Sequence, residues 1–198
     1  DRTKSRGLGD VYKRQDLTGT EDELEDFYGS LGEIYKDTVD IIMCESMSSI
    51  FEGRNASRVA KEFSERVWLS WTNRGHQPDQ LPSTEALSKA VDFSIEADVE
   101  CTLINCSHAD MASNSIKELK RASRFGIFAN SSTFKEVDLS VATKDVDAIH
   151  HLNSEEISAK EYAMIALSWA KEGAFVVGGC CGTTVEHTRE IKLLMDSL

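Results

Sequence analysis

EYAMIALSWAKEGAFVVGGCCGTTVEHT (Glu161–Thr188) reads as a helix, a strand, a glycine-rich loop and the start of another helix. Tyr162, Ile165, Ala166 and Trp169 recur at helical spacing, and Ser158 with Glu161 three residues later forms a capping-box signature at the helix start. AFVVG (Ala174–Gly178) is a short apolar run of strand length, and a last helix is expected from about Val185 to Leu194.

The same alternation runs upstream. VDIIMC (Val39–Cys44), VWLSWT (Val67–Thr72), VECTLIN (Val99–Asn105) and FGIFA (Phe125–Ala129) are four more strand-sized apolar runs. Between them lie helical patterns around Ser57–Phe63, through Leu87, Ala90 and Val91, and through Ile116 and Leu119. A further helix precedes the first run: Thr20 with Glu23 is a capping box, followed by Leu24, Phe27, Tyr28, Leu31, Ile34 and Tyr35. Strands alternating with helices imply a parallel sheet with right-handed crossovers. Unbroken apolar strands imply a sheet covered on both faces. Two architectures satisfy this, a (β/α)8 barrel and an open doubly wound sheet. The lack of a glycine-rich turn after the first strand counts against a nucleotide-binding sheet. The polar stretch from Asn130 to Leu152 shows little periodicity, and loops of that length are often functional.

The bulk numbers narrow the function classes. The chain has 198 residues, 40% apolar and 28% charged, enough for one domain with a real core. Its net charge of −12 argues against nucleic acid and against anionic membrane surfaces as partners. No apolar run approaches the ~20 residues of a membrane span, and no secretory signal opens the chain. Five cysteines in such a chain are read as cytosolic thiols available for metal or catalysis, and a cytoplasmic location is expected. The opening DRTKSRGLGDVYKRQ differs from the rest: five Lys/Arg and two Asp give it +3, leaving −15 for the remainder. Its VYKRQ ending looks like translated sequencing-adapter read-through. Residues 1–16 are therefore expected to be a disordered extension or an artefact, and 17–198 the domain.

Reactive side chains collect just past the strand ends: Glu45, Thr72 and Asn73, Asn105 and Cys106, Asn130 and Ser131, Cys180 and Cys181. In parallel β/α folds the carboxyl ends of the strands form the active face. GGCCGTT (Gly178–Thr184) is the sharpest feature. Adjacent cysteines in an extended strand point to opposite faces, but flanking glycines relax the backbone enough for both sulfurs to meet one ion. Cys106 would supply a third thiolate, and three ligands with one open position is a catalytic arrangement for zinc. Small buried hydrophobes and a redox-active vicinal disulfide are the other readings of these cysteines. Cys44 and Cys101, inside apolar strands, are read as core. Glu45 is either a ligand-binding carboxylate or one arm of a salt bridge. His108 is a possible fourth ligand but reads better as a solvent-facing loop residue. His150 and His151 are expected to be exposed, His187 to make a local polar contact, and Trp68, Trp71 and Trp169 to pack in the core.

Taken together, VDIIMCES, VWLSWT, INCS, FANS and EYAMIALSWAKEGAFVVGGCCGTTVEHT resemble the zinc-dependent homocysteine S-methyltransferase family, from about Leu17 to the C-terminus. The resemblance implies a (β/α)8 barrel, a zinc ion held by Cys106, Cys180 and Cys181, and substrate ammonium binding by Glu45. It implies methyl transfer to the thiol of homocysteine from a small donor such as S-methylmethionine, S-adenosylmethionine, betaine or methyl-cobalamin, giving methionine. There are departures. His108 and Val185 stand where the family usually has proline, and Phe128 replaces a common tyrosine. Nothing matches the family's opening Asp-Gly-Gly segment. Five strands and a leading helix then suggest the last five units of a truncated barrel, inactive alone and prone to self-association through exposed edges. The alternative from another class is a noncatalytic zinc-binding or thiol-redox module.

Overall fold

In a computed structural model the chain is described over residues 18–75, 77–134 and 154–197. Residues 1–17 lie outside this description, as do His150, His151 and most of the long polar stretch. Seven helices and seven strands follow one another among the described residues. They are α1 (Glu21–Tyr35), β1 (Ile42–Met47), α2 (Ile50–Phe63), β2 (Val67–Trp71), α3 (Leu87–Glu96), β3 (Cys101–His108), α4 (Ala109–Asn114), α5 (Ile116–Leu119), β4 (Phe125–Asn130), β5 (Ser132–Phe134), β6 (Ser154–Glu156), α6 (Ala159–Lys171), β7 (Val176–Gly179) and α7 (Val185–Met195). The five expected strands are β1, β2, β3, β4 and β7. They form one all-parallel sheet in that spatial order.

Local chemistry sets the helix starts. The capping boxes at Thr20/Glu23 and Ser158/Glu161 are both formed. Helix α2 begins at Ile50, earlier than its apolar spacing indicates, with Ser49 capping Glu52. Its first turns carry Glu52, Asn55 and Ser57, all buried, which breaks the apolar period. Each has a partner: the Glu52 carboxylate accepts from the amide and hydroxyl of Ser48, the Asn55 amide donates to the Phe51 carbonyl, and Ser57 donates to the Gly53 carbonyl. A buried polar group with a partner costs little, so the helix tolerates Glu52 and Ser57, whereas Asn55 is satisfied only through Nδ2 and its Oδ1 has no hydrogen-bond partner among the described residues.

Strand ends differ from the sequence expectation in one consistent way. β1 covers Ile42–Met47, not Val39–Cys44, and Val39 is exposed. β3 runs on to His108. Both extensions contain a bulge, between Cys44 and Met47 in one and between Asn105 and His108 in the other. The short antiparallel pair β5–β6 lies in and just beyond a stretch that reads as loop, because its polar residues carry no period.

Register assigns the two faces of the sheet. Leu69, Trp71, Ile104, Ile127 and Ala129 share the outer face, where helices cover them and all are fully buried. Trp71 and Trp169 are both completely enclosed. The other face carries Met43, Trp68, Ser70, Cys101, Leu103, Asn105, Gly126 and Phe128. This face is concave. Trp68 on β2 and Phe175 at the foot of β7 meet edge-to-face with ring centroids 6.3 Å apart, although β3 and β4 lie between their strands. Three strand spacings in a flat sheet would separate the two backbones by ~14 Å. Crowding at the centre agrees: a methyl group on Gly126 would stand 2.5 Å from Val176 Cγ1 and 2.9 Å from Leu103 Cδ2. Among the described residues, no helix is long and apolar enough to cross a membrane.

Candidate metal centre

The carboxyl ends of β3 and β7 bring three cysteines together. The ligand atoms of Cys106, Cys180 and Cys181 all lie within 4.8 Å of one another. Cys106 sits inside the β3 bulge with φ of +49°, a backbone conformation rare for residues with a side chain. Bulges re-aim side chains next to functional sites, and strain of this kind persists only where surrounding structure holds it. Cys180 and Cys181 have left the strand. β7 ends at Gly179 and the chain turns through Gly182, at φ +77°, so the alternation that would oppose adjacent cysteines no longer applies. A side chain at Gly182 would be strained there and would also meet Ser131 Oγ at 2.5 Å.

This turn is pinned to β4 through its backbone. The Cys180 amide donates to the Ala129 carbonyl at 2.8 Å, and the Ser131 amide to the Cys181 carbonyl at 3.0 Å. Asn130 Oδ1 accepts from the Cys181 amide at 3.1 Å. Thr183 closes the turn, its amide and hydroxyl both donating to the Cys180 carbonyl. From behind, the buried Tyr162 hydroxyl reaches the carbonyls of Ala129 and Gly178, each at 2.7 Å. Burial raises the Tyr162 phenol far above its usual range, so it remains a donor.

Cys106 and Cys180 are in disulfide contact, while Cys181 is exposed with its sulfur 3.8 Å from that of Cys106. The vicinal Cys180–Cys181 pairing considered from sequence is not formed; the bond spans β3 and the β7 turn instead. Reduction leaves three thiols in one cluster. Sulfur donors suit a soft or borderline cation such as zinc, and three of them fit a site with one position left for a substrate. Cys44 and Cys101 are buried away from the cluster, and desolvation pushes each thiol up to about 12.

Glu45 is exposed at the end of β1, and its Oε1 accepts from the Asn105 side-chain amide at 3.0 Å. Asn105 is fully buried and directly precedes Cys106. The salt-bridge reading of Glu45 finds no support among the described residues. His108 is buried rather than solvent-facing; its Nδ1 lies 2.9 Å from Ser132 Oγ, and it is not part of the sulfur cluster. His187 makes the local contact expected of it, with Nδ1 accepting from the Thr184 amide at 3.1 Å. Asn73 acts as a strut: its amide donates to Ser107 Oγ and its Nδ2 to the Pro78 carbonyl and Ser115 Oγ. The Thr72 hydroxyl donates to the Cys106 carbonyl at 3.4 Å and its backbone amide to the Met47 carbonyl at 3.2 Å. Sequence reading assigned no role to Ser46, Ser70 or the Tyr162 hydroxyl. Only the position of Asn105 beside Cys106 hinted at this network.

Residues 3–195 match the profile of the homocysteine S-methyltransferases. The chain belongs to that family. It is 26% identical over 183 residues to Homocysteine S-methyltransferase YbgG of Bacillus subtilis strain 168, a match covering 90% of this chain and 54% of that protein. Crystal structures of the homocysteine methyltransferase MmuM of Escherichia coli share the fold. The metallated form superposes with a TM-score of 0.68 at 19% identity, over 92% of this chain and 55% of that one. The oxidized form gives 0.66 at 17%, over 94% and 56%. The chain thus spans about half the length of the relatives it matches.

Proposed function

We propose that this chain is the thiol-binding, zinc-carrying portion of a homocysteine S-methyltransferase, built as five consecutive units of a (β/α)8 barrel over residues 17–198. The observation that carries this reading is the convergence of Cys106, Cys180 and Cys181 at the carboxyl ends of two strands, in a chain of this family. The concave face and the single neighbour of β1 and of β7 among the described residues support the barrel.

Each residue has a task in this reading. Cys106, Cys180 and Cys181 hold the metal once reduced. Zinc bound there supplies positive charge beside the substrate thiol, which makes the sulfur a thiolate at neutral pH. Glu45 binds the ammonium group of homocysteine and orients its sulfur toward the cysteines. The concave mouth brings donor and acceptor together. The substrate sulfur forms a bond to the methyl carbon while that carbon's bond to a cationic donor breaks, and the thiol proton is released to solvent. No protein nucleophile is required, so no methylated enzyme is formed. The edges of β1 and β7, which pair with no further strand among the described residues, favour self-association or a low turnover for the chain by itself.

The test is zinc-edge X-ray absorption on the reduced, zinc-loaded chain. Three sulfur neighbours rising to four with saturating homocysteine supports the reading. A count that stays at three makes the metal structural and returns the chain to the alternative, a noncatalytic zinc-binding or thiol-redox module.

A further inference from the structure

The amide of Asn105 has all four of its hydrogen-bonding positions filled. Oδ1 accepts from the Ser46 backbone amide at 3.0 Å and from the Ser70 hydroxyl at 2.6 Å. Nδ2 donates to Glu45 Oε1 at 3.0 Å and to Ser46 Oγ at 2.7 Å. The orientation of this amide follows from its partners. A backbone N–H can only donate, so the atom facing Ser46 N must be the oxygen. An ionised carboxylate can only accept, so the atom facing Glu45 must be the nitrogen. Flipping the amide would set donor against donor and acceptor against acceptor at once.

Asn105 and Ser70 are both fully buried, whereas Glu45 is exposed. An exposed glutamate samples many rotamers, and a fixed donor on one oxygen restricts them. The backbone supports the same arrangement. Ser46 stands at φ +62° in the β1 bulge and Cys106 at φ +49° in the β3 bulge, so both strands distort where Asn105 joins them. The Ser46 amide, which faces no β2 residue across the bulge, finds its acceptor in Asn105.

We propose that Asn105 is a positioning residue that aims the Glu45 carboxylate and thereby sets the preference for thiols carrying an α-ammonium group. The inference rests on the assignment of Glu45 to the substrate ammonium. Asn105 touches no substrate itself; its buried amide leaves Glu45 Oε2 free to meet the ligand while Oε1 is held. It also ties that aim to the strand bearing Cys106, so the carboxylate and the sulfur cluster are fixed to one another.

The experiment compares homocysteine with 4-mercaptobutyrate, which has the same thiol, chain and carboxylate but no amino group. Affinities are measured by calorimetry on the reduced, zinc-loaded chain and on Glu45→Gln, Asn105→Asp and the double variant. Asn105→Asp keeps the size and the acceptor positions but replaces the donor facing Glu45 with a second carboxylate oxygen. The wild type should prefer homocysteine by roughly ten- to a hundred-fold. Each single variant should lose most of that preference while holding zinc and binding 4-mercaptobutyrate as before. The double variant should lose little more, since the two residues act as one unit. A lesion that merely loosened the fold would weaken both thiols alike. Asn105→Ser, a neutral side chain too short to reach Glu45, should give the same result if the aspartate variant does not fold. A preference lost in Glu45→Gln but intact in the Asn105 variants overturns the inference and spares the role of Glu45. A preference intact in Glu45→Gln, or absent from the wild type, overturns that role and the inference with it. Loss of zinc from both Asn105 variants would show that the residue serves Cys106 rather than Glu45, and also overturns it.

Discussion

The Tyr162 hydroxyl lies 2.7 Å from the carbonyl oxygen of Gly178, two residues before Cys180, and equally far from that of Ala129 on the neighbouring strand. A side chain of helix α6 thus clasps β4 and β7 at the point where the cysteine turn leaves the sheet. The Cys180 amide shares the Ala129 carbonyl, so the clasp and the turn meet at one atom.

Tyr162→Phe removes this donor with almost no change in shape. It removes a donor from the half-buried Gly178 carbonyl and one of two from the Ala129 carbonyl, a loss of about 0.5–1.5 kcal/mol. Urea unfolding should show that loss. Zinc should also leave the variant faster when a chelator competes for it. Wild-type stability together with wild-type zinc release would mean that the clasp is incidental.

Thiol reactivity should divide the five cysteines into two sets. Cys44 and Cys101 have thiols pushed up to about 12, in both cases chiefly by desolvation. At pH 8 only on the order of 10⁻⁴ of each would be thiolate, the reactive form. After reduction and metal removal, iodoacetamide on the folded chain should modify Cys106, Cys180 and Cys181 and spare the other two. Denaturant should expose all five. Peptide mapping that finds native Cys101 modified as fast as Cys181 contradicts this.

The parts of the structure that could be read from sequence are those built by contiguous apolar residues. β2 and β4 begin at their expected residues because Val67–Trp71, interrupted only by Ser70, and Phe125–Ala129 are compact runs of strand length. The cysteine turn could be read because glycines flank it. The distortions that shape the site were hidden. Nothing in Glu45-Ser46-Met47 announces a bulge, since the partner that stabilises it, Asn105, is 59 residues away. The first turns of helix α2 carry no apolar period because Glu52 reads as a surface residue until Ser48 is seen to satisfy its carboxylate. Long-range polar satisfaction leaves no periodic trace.

The foot of the sheet should make a small contribution to acid stability. Glu100 accepts from Arg66, from Trp68 Nε1 and from Arg124. The Arg66 hydrogen bond is the largest cause holding its carboxyl below the ordinary 4.5. A carboxylate lowered on folding contributes stability that is complete above its unfolded value and is lost as pH falls through the folded one. Wild-type Tm should therefore fall as pH drops below about 4.5, and Glu100→Gln should flatten that limb while lowering Tm at neutral pH. The effect is modest because the arginines are half-exposed and salt screens them. An unchanged acid limb in the variant would place the sensitive group elsewhere.

Zinc retention tests the cluster most directly. The three sulfurs lie within 4.8 Å of one another, but they are not equivalent. Cys106 and Cys180 are half-buried on a strained bulge and a pinned turn, while Cys181 is exposed. Serine is nearly isosteric with cysteine, yet its hydroxyl is a poor ligand for zinc at neutral pH, where a thiol readily yields a thiolate. Cys106→Ser, Cys180→Ser and Cys181→Ser should each cut zinc content sharply from about one per chain. Cys44→Ser and Cys101→Ser should keep it, with some loss of stability from placing a hydroxyl in the core. Oxidation should mimic the first two variants, because a Cys106–Cys180 disulfide removes two ligands together. Zinc should then return on reduction in the wild type but not in Cys106→Ser. Metal analysis under reducing and oxidising conditions reads all of these outcomes. Full retention in Cys181→Ser would leave a two-cysteine site and remove the basis for a three-thiolate centre.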